Sequence, residues 1–248
     1  MMAEPSYDFA PVRVREDLVA AHRRVWEHIS RPGTWWTGEQ RRAMAAETRH
    51  ARDCRLCRER ATSASSSKMR GRHDGLGGLP EPIVDIVHRL TNEPGRLSKD
   101  WFNEVLAKGV TEAAYVEVVG VVTQTVNVDT FCHGLGVAYH SLPAPALGEP
   151  SRHRPEGARP ERAWVPMVSP ANAKGPEAGL YPLGGVPNVG RALSLVPDET
   201  RSVLDLLAAQ YIPAGRVSDF WFDPQRAISR AQMDLLAGRV SALNRCFY

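Results

Sequence analysis

An all-α fold is predicted by three observations on this sequence of 248 residues. Apolar residues recur at helical spacing along most of the chain. Several of these stretches begin with a residue that commonly caps helix N-termini. The valine-rich stretch 111–128 has the composition of a strand, but its length and its capping threonine favour a buried helix.

Seven helices are predicted from these signals. In chain order they span residues 12–29, 37–57, 80–90, 97–106, 111–128, 192–211 and 223–246. Thr37 and Gln40 form a capping box at the start of the second helix, and Thr111 caps the fifth. The segment 62–78 is rich in serine and glycine, which predicts a loop of the kind that forms a lid or the edge of a site.

A proline-rich connector separates two helical units. From 143 to 187 a proline recurs every few residues, which excludes regular secondary structure there. The sequence thus predicts a first unit over 12–142, the connector over 143–187 and a second, partial unit over 188–248. Within the connector, Trp164, Val165 and Met167 are expected to dock on the body of the protein.

Charge and composition describe an ordinary globular protein. Charged residues make up 24% and apolar residues 43%, and the net charge is only +3, so no nucleic-acid partner is predicted. We find neither a signal-peptide pattern at the N-terminus nor an apolar run long enough to span a bilayer. A cytoplasmic location without membrane association is therefore expected, where cysteines stay reduced unless they turn over.

The most reactive chemistry in the sequence is the Cys-x-x-Cys pair Cys54 and Cys57. A thiol beside cationic groups loses its proton more easily, and the thiolate is both the nucleophile and the metal ligand. The cationic neighbours in the sequence are Arg49, Arg52, Arg55, Arg58 and Arg60. The competing interpretation is that both cysteines are small buried apolar residues. The arginines favour the reactive interpretation.

Three segments of the chain share a pattern, which suggests a helical unit used more than once. They are 42–57 (RAMAAETRHARDCRLC), 117–132 (EVVGVVTQTVNVDTFC) and 234–248 (DLLAGRVSALNRCFY). Each opens with a charged residue and continues with small and apolar residues. The third segment and the Cys-x-x-Cys helix resemble the signature helix of the carboxymuconolactone decarboxylase and AhpD-type alkylhydroperoxidase family.

The resemblance implies an all-α, AhpD-like helical bundle of tandem degenerate repeats that forms a homodimer or larger homo-oligomer. It also implies an antioxidant thiol peroxidase without a cofactor, which takes a small-molecule hydroperoxide and is reduced by an external dithiol. In the family pattern Cys57 attacks the peroxide and Cys54 resolves the sulfenic acid. No segment carries the complete pattern, so the proton carriers are expected from other helices; the candidates are Glu117, His50, His88 and His133.

A metal-dependent enzyme is the alternative prediction. Glu47-x-x-His50 and Asp85-x-x-His88 each place a carboxylate and an imidazole on one helix face, and helix bundles hold metal ions with such sets. The expected ligands are Glu47, His50, His88, Glu117 and Asp129. They suit iron or manganese, or zinc if Cys54 and Cys57 join them. Because Glu117 and Asp129 lie among valines, each needs a partner or a proton.

A non-catalytic protein that keeps the fold and has lost its site is the third class considered. The loop residues His73, His140 and His153 are expected to be solvated.

Overall fold

The computed structural model is mostly helical, as the sequence predicts. It describes residues 5–64, 69–181, 188–222, 226–244 and 246. The helices are α1 (Glu16–Ser30), α2 (Gly38–His50), α3 (Arg55–Thr62), α4 (Glu81–Asn92), α5 (Lys99–Ala107), α6 (Glu112–Leu135), α7 (Asn188–Arg191), α8 (Pro197–Gln210) and α9 (Arg230–Leu243).

Helix α6 is the centre of the core. It packs against α1, α2, α4 and α8, so apolar residues on all sides of it are buried. The Thr111 hydroxyl accepts a hydrogen bond from the backbone N–H of Ala114 at its start, and Gly136 ends it with a φ of 69° in the left-handed region. The prediction of a capped, buried helix is confirmed here.

Helix α2 starts where the sequence predicts but ends early. The capping box between Thr37 and Gln40 is present. However, α2 ends at His50, a 3₁₀ turn over Ala51–Asp53 follows, and Cys54 has the extended backbone of an N-cap before α3. The prediction of one helix through Cys57 was therefore wrong, because the chain restarts a helix at the cysteine pair.

The proline-rich connector contains a short antiparallel ribbon that the sequence did not predict. Strand β1 (Ala158–Arg159) pairs with β2 (Met167–Val168). Val165 and Met167 are buried, as expected of a docking point, whereas Trp164 is 38% exposed. Proline tolerates such a ribbon because two-residue strands require few backbone hydrogen bonds. Residues 182–187 of the connector lie outside the described residues.

An arginine cluster, formed by Arg41, Glu117, Glu199 and His28, ties α1, α2, α6 and α8 together. Arg41 is fully buried, and its Nη1 lies 2.5 Å from Glu117 Oε1 and 2.7 Å from Glu199 Oε1. Glu199 also accepts from His28 at 2.9 Å. Gly33 is required beside this cluster, because a Cβ there would lie 1.9 Å from Glu117 Oε1.

Two sequence predictions concern features larger than a helix. Among the helices that the structure describes, none is long and apolar enough to cross a bilayer.

The three similar segments do not share one backbone. The first is broken before Cys54, the second is part of the continuous α6, and in the third α9 ends at Leu243. The predicted start of the last helix, residue 223, lies outside the described residues.

Candidate functional site

Cys54 and Cys57 lie together at the N-terminus of α3. Cys54 is the N-cap and Cys57 lies in the first turn, so both sulfurs are near the positive end of the helix. Both side chains are buried, with Cys54 at 0% and Cys57 at 7% exposure, and neither is in a disulfide. The backbone break that follows α2 creates this helix start.

Two imidazoles face the sulfurs. His88 comes from α4, and its Nδ1 lies 3.4 Å from Cys57 Sγ. His73 comes from the loop between α3 and α4, and its Nδ1 lies 3.6 Å from Cys54 Sγ and 3.5 Å from Cys57 Sγ. The ring centroids of the two histidines are 4.4 Å apart. These four residues form the thiol–histidine cluster.

A carboxylate holds each imidazole from its far side. His88 Nε2 lies 2.7 Å from Glu47 Oε1, and His73 Nε2 lies 3.1 Å from Asp85 Oδ1. These contacts fix the orientation of both rings and turn the Nδ1 atom of each towards the sulfurs. Both thiols therefore face nitrogen atoms that are able to accept or return a proton.

The carboxylates are themselves anchored. Glu47 accepts a hydrogen bond from the backbone N–H of Leu76 at 3.0 Å. Asp85 accepts from Trp101 Nε1 at 2.7 Å and from Arg89 Nε at 2.9 Å. The four-residue cluster is thus surrounded by a second layer of polar contacts from α2, α4, α5 and the loop.

The surroundings of the two thiols shift their pKa values in opposite directions. Burial raises the pKa of Cys54, but the backbone N–H groups of Cys57 and Asp74 and the His73 imidazole outweigh it and lower that pKa to about 6. Burial and the neighbouring Cys54 raise the pKa of Cys57 to about 12. One thiolate, on Cys54, and one thiol, on Cys57, are therefore the ground state near neutral pH.

The histidine beside the thiolate is tuned towards its cationic form. Burial disfavours charge on His73, yet its hydrogen bonds to Asp85 and Cys54 outweigh burial and raise its pKa. Burial likewise opposes ionisation of Glu47, but the hydrogen bond from His88 and the Leu76 N–H lower the pKa of that carboxyl group. The cluster can thus hold a thiolate–imidazolium pair.

A pocket of about 300 Å³ opens beside the thiol–histidine cluster. His73 is part of its wall, together with Arg72, Asp74 and Val84. The His73 side chain is 5% exposed, so this imidazole connects the pocket to the two buried sulfurs. The pocket has the size and the position of an entry site for a small molecule.

Several predicted site residues lie elsewhere. Glu117 bonds to Arg41 and to the backbone N–H of Trp35, and Asp129 forms a two-bond ion pair with Arg49 at 2.8 Å. Both buried carboxylates therefore have partners, and those partners are arginines. Burial raises the pKa of Glu117 despite the attraction of Arg41.

The remaining predicted histidines are peripheral. His50 is half-buried, with its ring centroid 6.5 Å from that of His88, and His133 is exposed on α6. Within the described ranges, the only group of three or more His, Cys, Asp or Glu side chains close enough to share one ion is Cys54, Cys57, His73 and His88. The predicted ligand set of Glu47, His50, His88, Glu117 and Asp129 therefore does not converge.

Sequence reasoning missed His73 and assigned the arginines a role that they do not have. His73 was expected to be solvated, and the structure buries its ring against both thiols. Of the other two loop histidines, His153 is exposed as expected and bonds to Glu177 at 2.6 Å, whereas His140 is partly buried. Burial lowers the pKa of His140. A signal for His73 was present, since it lies in a loop predicted to border a site.

The arginines around the cysteines have their own partners. Arg49 pairs with Asp129, Arg55 with Glu59 and Arg60 with Glu93. The stabilisation of a thiolate on Cys54 therefore comes from imidazole and backbone N–H groups rather than from guanidinium groups.

Comparison with known proteins finds no match: no family model, no curated protein and no solved structure is similar to this chain.

Proposed function

We propose that this protein is a thiol-dependent peroxidase that reduces small hydroperoxides through Cys54 and Cys57. The observation that carries the proposal is the placement of both sulfurs at one helix start against two carboxylate-held imidazoles. A thiol chemistry needs a nucleophile, a base within hydrogen-bond reach and a third group that orients the base. Cys57, His88 and Glu47 form such a series, at 3.4 and 2.7 Å.

In the first step the Cys54 thiolate attacks the outer oxygen of the hydroperoxide. The S–O bond forms as the O–O bond breaks, so sulfur is oxidised and the peroxide is reduced. His73 gives its proton to the departing alkoxide, which leaves as the alcohol. Cys54 is then a sulfenic acid.

In the second step Cys57 resolves the sulfenic acid. His88, oriented by Glu47, accepts the Cys57 proton, and the new thiolate attacks Cys54 sulfur. The S–S bond forms and water leaves, carrying the sulfenic oxygen and two protons. An external dithiol then reduces the disulfide and is itself oxidised.

The pKa directions favour Cys54 as the attacking cysteine, whereas the AhpD-type pattern implies Cys57. A low pKa gives Cys54 its negative charge at neutral pH, and a high pKa keeps Cys57 protonated until His88 assists. The resemblance supports the proposal in another respect, because the peroxidases of that family also combine a Cys-x-x-Cys pair with a glutamate and a histidine.

Single-cysteine variants test the proposal. Metal-free, reduced Cys57→Ser protein treated with peroxide should accumulate a sulfenic acid on Cys54 that a dimedone-type reagent traps, whereas Cys54→Ser should form none. Cys246→Ser, which changes an exposed cysteine outside the cluster, is the matched control and should behave like wild type. Sulfenic acid on Cys57 in the Cys54→Ser variant would reverse the two roles. No reaction of either folded variant or of wild type would reject the function.

A further inference from the structure

The four side chains of the thiol–histidine cluster surround a common centre. Each offers one donor atom, and all four donor atoms lie within 4.8 Å of one another. Two sulfurs and two imidazole nitrogens are a donor set that zinc favours in tetrahedral sites. The spacing of the cysteines, with two residues between them, is also common in such sites.

The distances between sulfur and nitrogen atoms in the cluster fit a single tetrahedral ion. With Zn–S bonds of about 2.3 Å and Zn–N bonds of about 2.0–2.1 Å, a sulfur and a nitrogen on one tetrahedron lie about 3.5 Å apart. Three of the four Sγ–Nδ1 pairs lie 3.4, 3.5 and 3.6 Å apart. Small shifts of the side chains would therefore bring the donors to bonding distance of a central ion.

The outer contacts match those of zinc-binding histidines. A histidine that binds a metal through one nitrogen commonly donates its other N–H to a carboxylate, which fixes the tautomer and the ring orientation. Glu47 does this for His88 and Asp85 for His73. Both Nδ1 lone pairs are thereby free of the carboxylates and face the sulfurs.

We propose that Cys54, Cys57, His73 and His88 bind one Zn²⁺ ion, and that oxidation of the two cysteines releases it. The binding site stands on the geometry alone, whereas the release rests on the proposed peroxidase function. A bound ion holds both sulfurs as thiolates and compensates their two negative charges in a buried site.

The proposed release of zinc conserves atoms and electrons. The two zinc-bound thiolates give two electrons to one hydroperoxide, which takes up two protons and leaves as one alcohol and one water. The S–S bond forms, both Zn–S bonds break, and Zn²⁺ departs because a disulfide is a far weaker ligand than two thiolates. Reduction by the external dithiol restores the site.

Cobalt is the probe for the binding site. Zinc-free, reduced wild-type protein titrated with Co²⁺ should gain a thiolate-to-cobalt charge-transfer band and tetrahedral d–d bands that saturate at one ion per chain. One equivalent of Zn²⁺ should abolish both bands. Cys246→Ser and His133→Ala, which lie outside the cluster, should leave the titration unchanged. Absence of the charge-transfer band in wild type would overturn the site.

Variants of the carboxylates behind the two histidines test the site without removing a zinc donor. Glu47→Gln and Asp85→Asn retain all four donors, and each should weaken zinc affinity about 10- to 100-fold, the effect typical of losing a carboxylate behind a metal-binding histidine. An unchanged affinity in both folded variants would contradict the ligand geometry proposed here.

Release is tested with a fluorescent zinc indicator during addition of peroxide. The zinc-loaded protein should release one zinc for every two thiols lost. Zinc that stays bound while the two thiols disappear would overturn the coupling. A protein that binds cobalt but keeps its thiols when zinc-free would reject the peroxidase function and the coupling while leaving the metal site. A protein that loses its thiols but binds no cobalt would reject the metal site and the coupling while leaving the peroxidase function.

Discussion

The arginine cluster and the thiol–histidine cluster are both buried, and both contact α2. They differ in how their polar atoms are partnered. In the arginine cluster every carboxylate faces a cation or an N–H donor, and Arg41 lies between Glu117 and Glu199. In the thiol–histidine cluster the Nδ1 atoms of two imidazoles face two sulfurs, and within the described part of the chain imidazole and backbone N–H groups stabilise the Cys54 thiolate. The carboxylates of the first cluster are thus engaged, whereas the second cluster has nitrogen and sulfur atoms that can take up a proton or a ligand.

From this difference we infer that the arginine cluster stabilises the fold and that the thiol–histidine cluster serves the proposed chemistry. A buried ion cluster of this kind ties four helices together, and its carboxylates are already paired. Convergent lone pairs beside a pocket are suited to binding a proton, a peroxide or a metal ion.

Removing Arg41 should damage the fold most. Arg41→Met leaves Glu117 and Glu199 buried without their shared cation, which should lower the free energy of unfolding by about 3–5 kcal/mol. Urea denaturation followed by circular dichroism measures this. Arg24→Met, which removes an exposed pair with Asp205, is the control and should cost less than about 1 kcal/mol. Equal losses in the two variants would contradict a structural role for the arginine cluster.

Acid should destabilise the protein partly through Glu199. Burial opposes its ionisation, but Arg41 and His28 outweigh burial and lower its pKa from 4.5 to about 2. A lowered pKa gives stability that is present above pH 4.5 and is lost as the pH falls towards 2. That loss is about 3 kcal/mol at most for this group.

The matching measurement is the free energy of unfolding of wild type and Glu199→Gln between pH 5 and pH 2. Wild type should lose stability more steeply than the variant over this window. Glu117 acts in the opposite direction, because its pKa is raised. Parallel pH profiles would show that Glu199 is not held ionised in the folded protein.

Removing Glu47 should slow the chemistry. Glu47→Gln keeps His88 but takes away the charge that stabilises its protonated form, so disulfide formation after peroxide should slow about 10- to 100-fold, less than loss of the base itself. Stopped-flow fluorescence with peroxide in excess measures the rate in the zinc-free protein. Sulfenic-acid formation on Cys54 should change less, and an equal slowing of both steps would argue against a specific role in the resolving step.

Changes outside both clusters should have the smallest effect. His133→Ala and Cys246→Ser alter exposed residues, so stability should stay within about 0.5 kcal/mol of wild type. Their peroxide reactivity should also match wild type. A large loss in either variant would mean that the reactive site extends beyond the thiol–histidine cluster.

The sequence predicted those features that depend on nearby residues. The capping box at Thr37 and the buried helix capped by Thr111 follow from local hydrogen bonding and apolar patterning, and both are present. The need of Glu117 and Asp129 for partners also followed from burial. Their partners, Arg41 and Arg49, come from a distant helix and could not be read from spacing.

The site itself depends on long-range placement. The turn Ala51–Asp53 has no strong breaker, so the sequence predicted a continuous helix where the structure begins a new one at Cys54. His73 reaches the sulfurs only because its loop folds back over α3 and α4. The break before Cys54 has no local signal, and the only signal for His73 was its place in a loop predicted to border a site. The cysteine pair and His88 were identified directly from the sequence.

The most direct test of the central claim is a thiol count on reduced, zinc-free wild type before and after one equivalent of hydroperoxide, with peptide mass mapping of the product. The chain has four cysteines. We expect a fall from four thiols to two, with one disulfide joining Cys54 and Cys57. Four thiols remaining, or a disulfide that involves Cys132 or Cys246 instead, would contradict it.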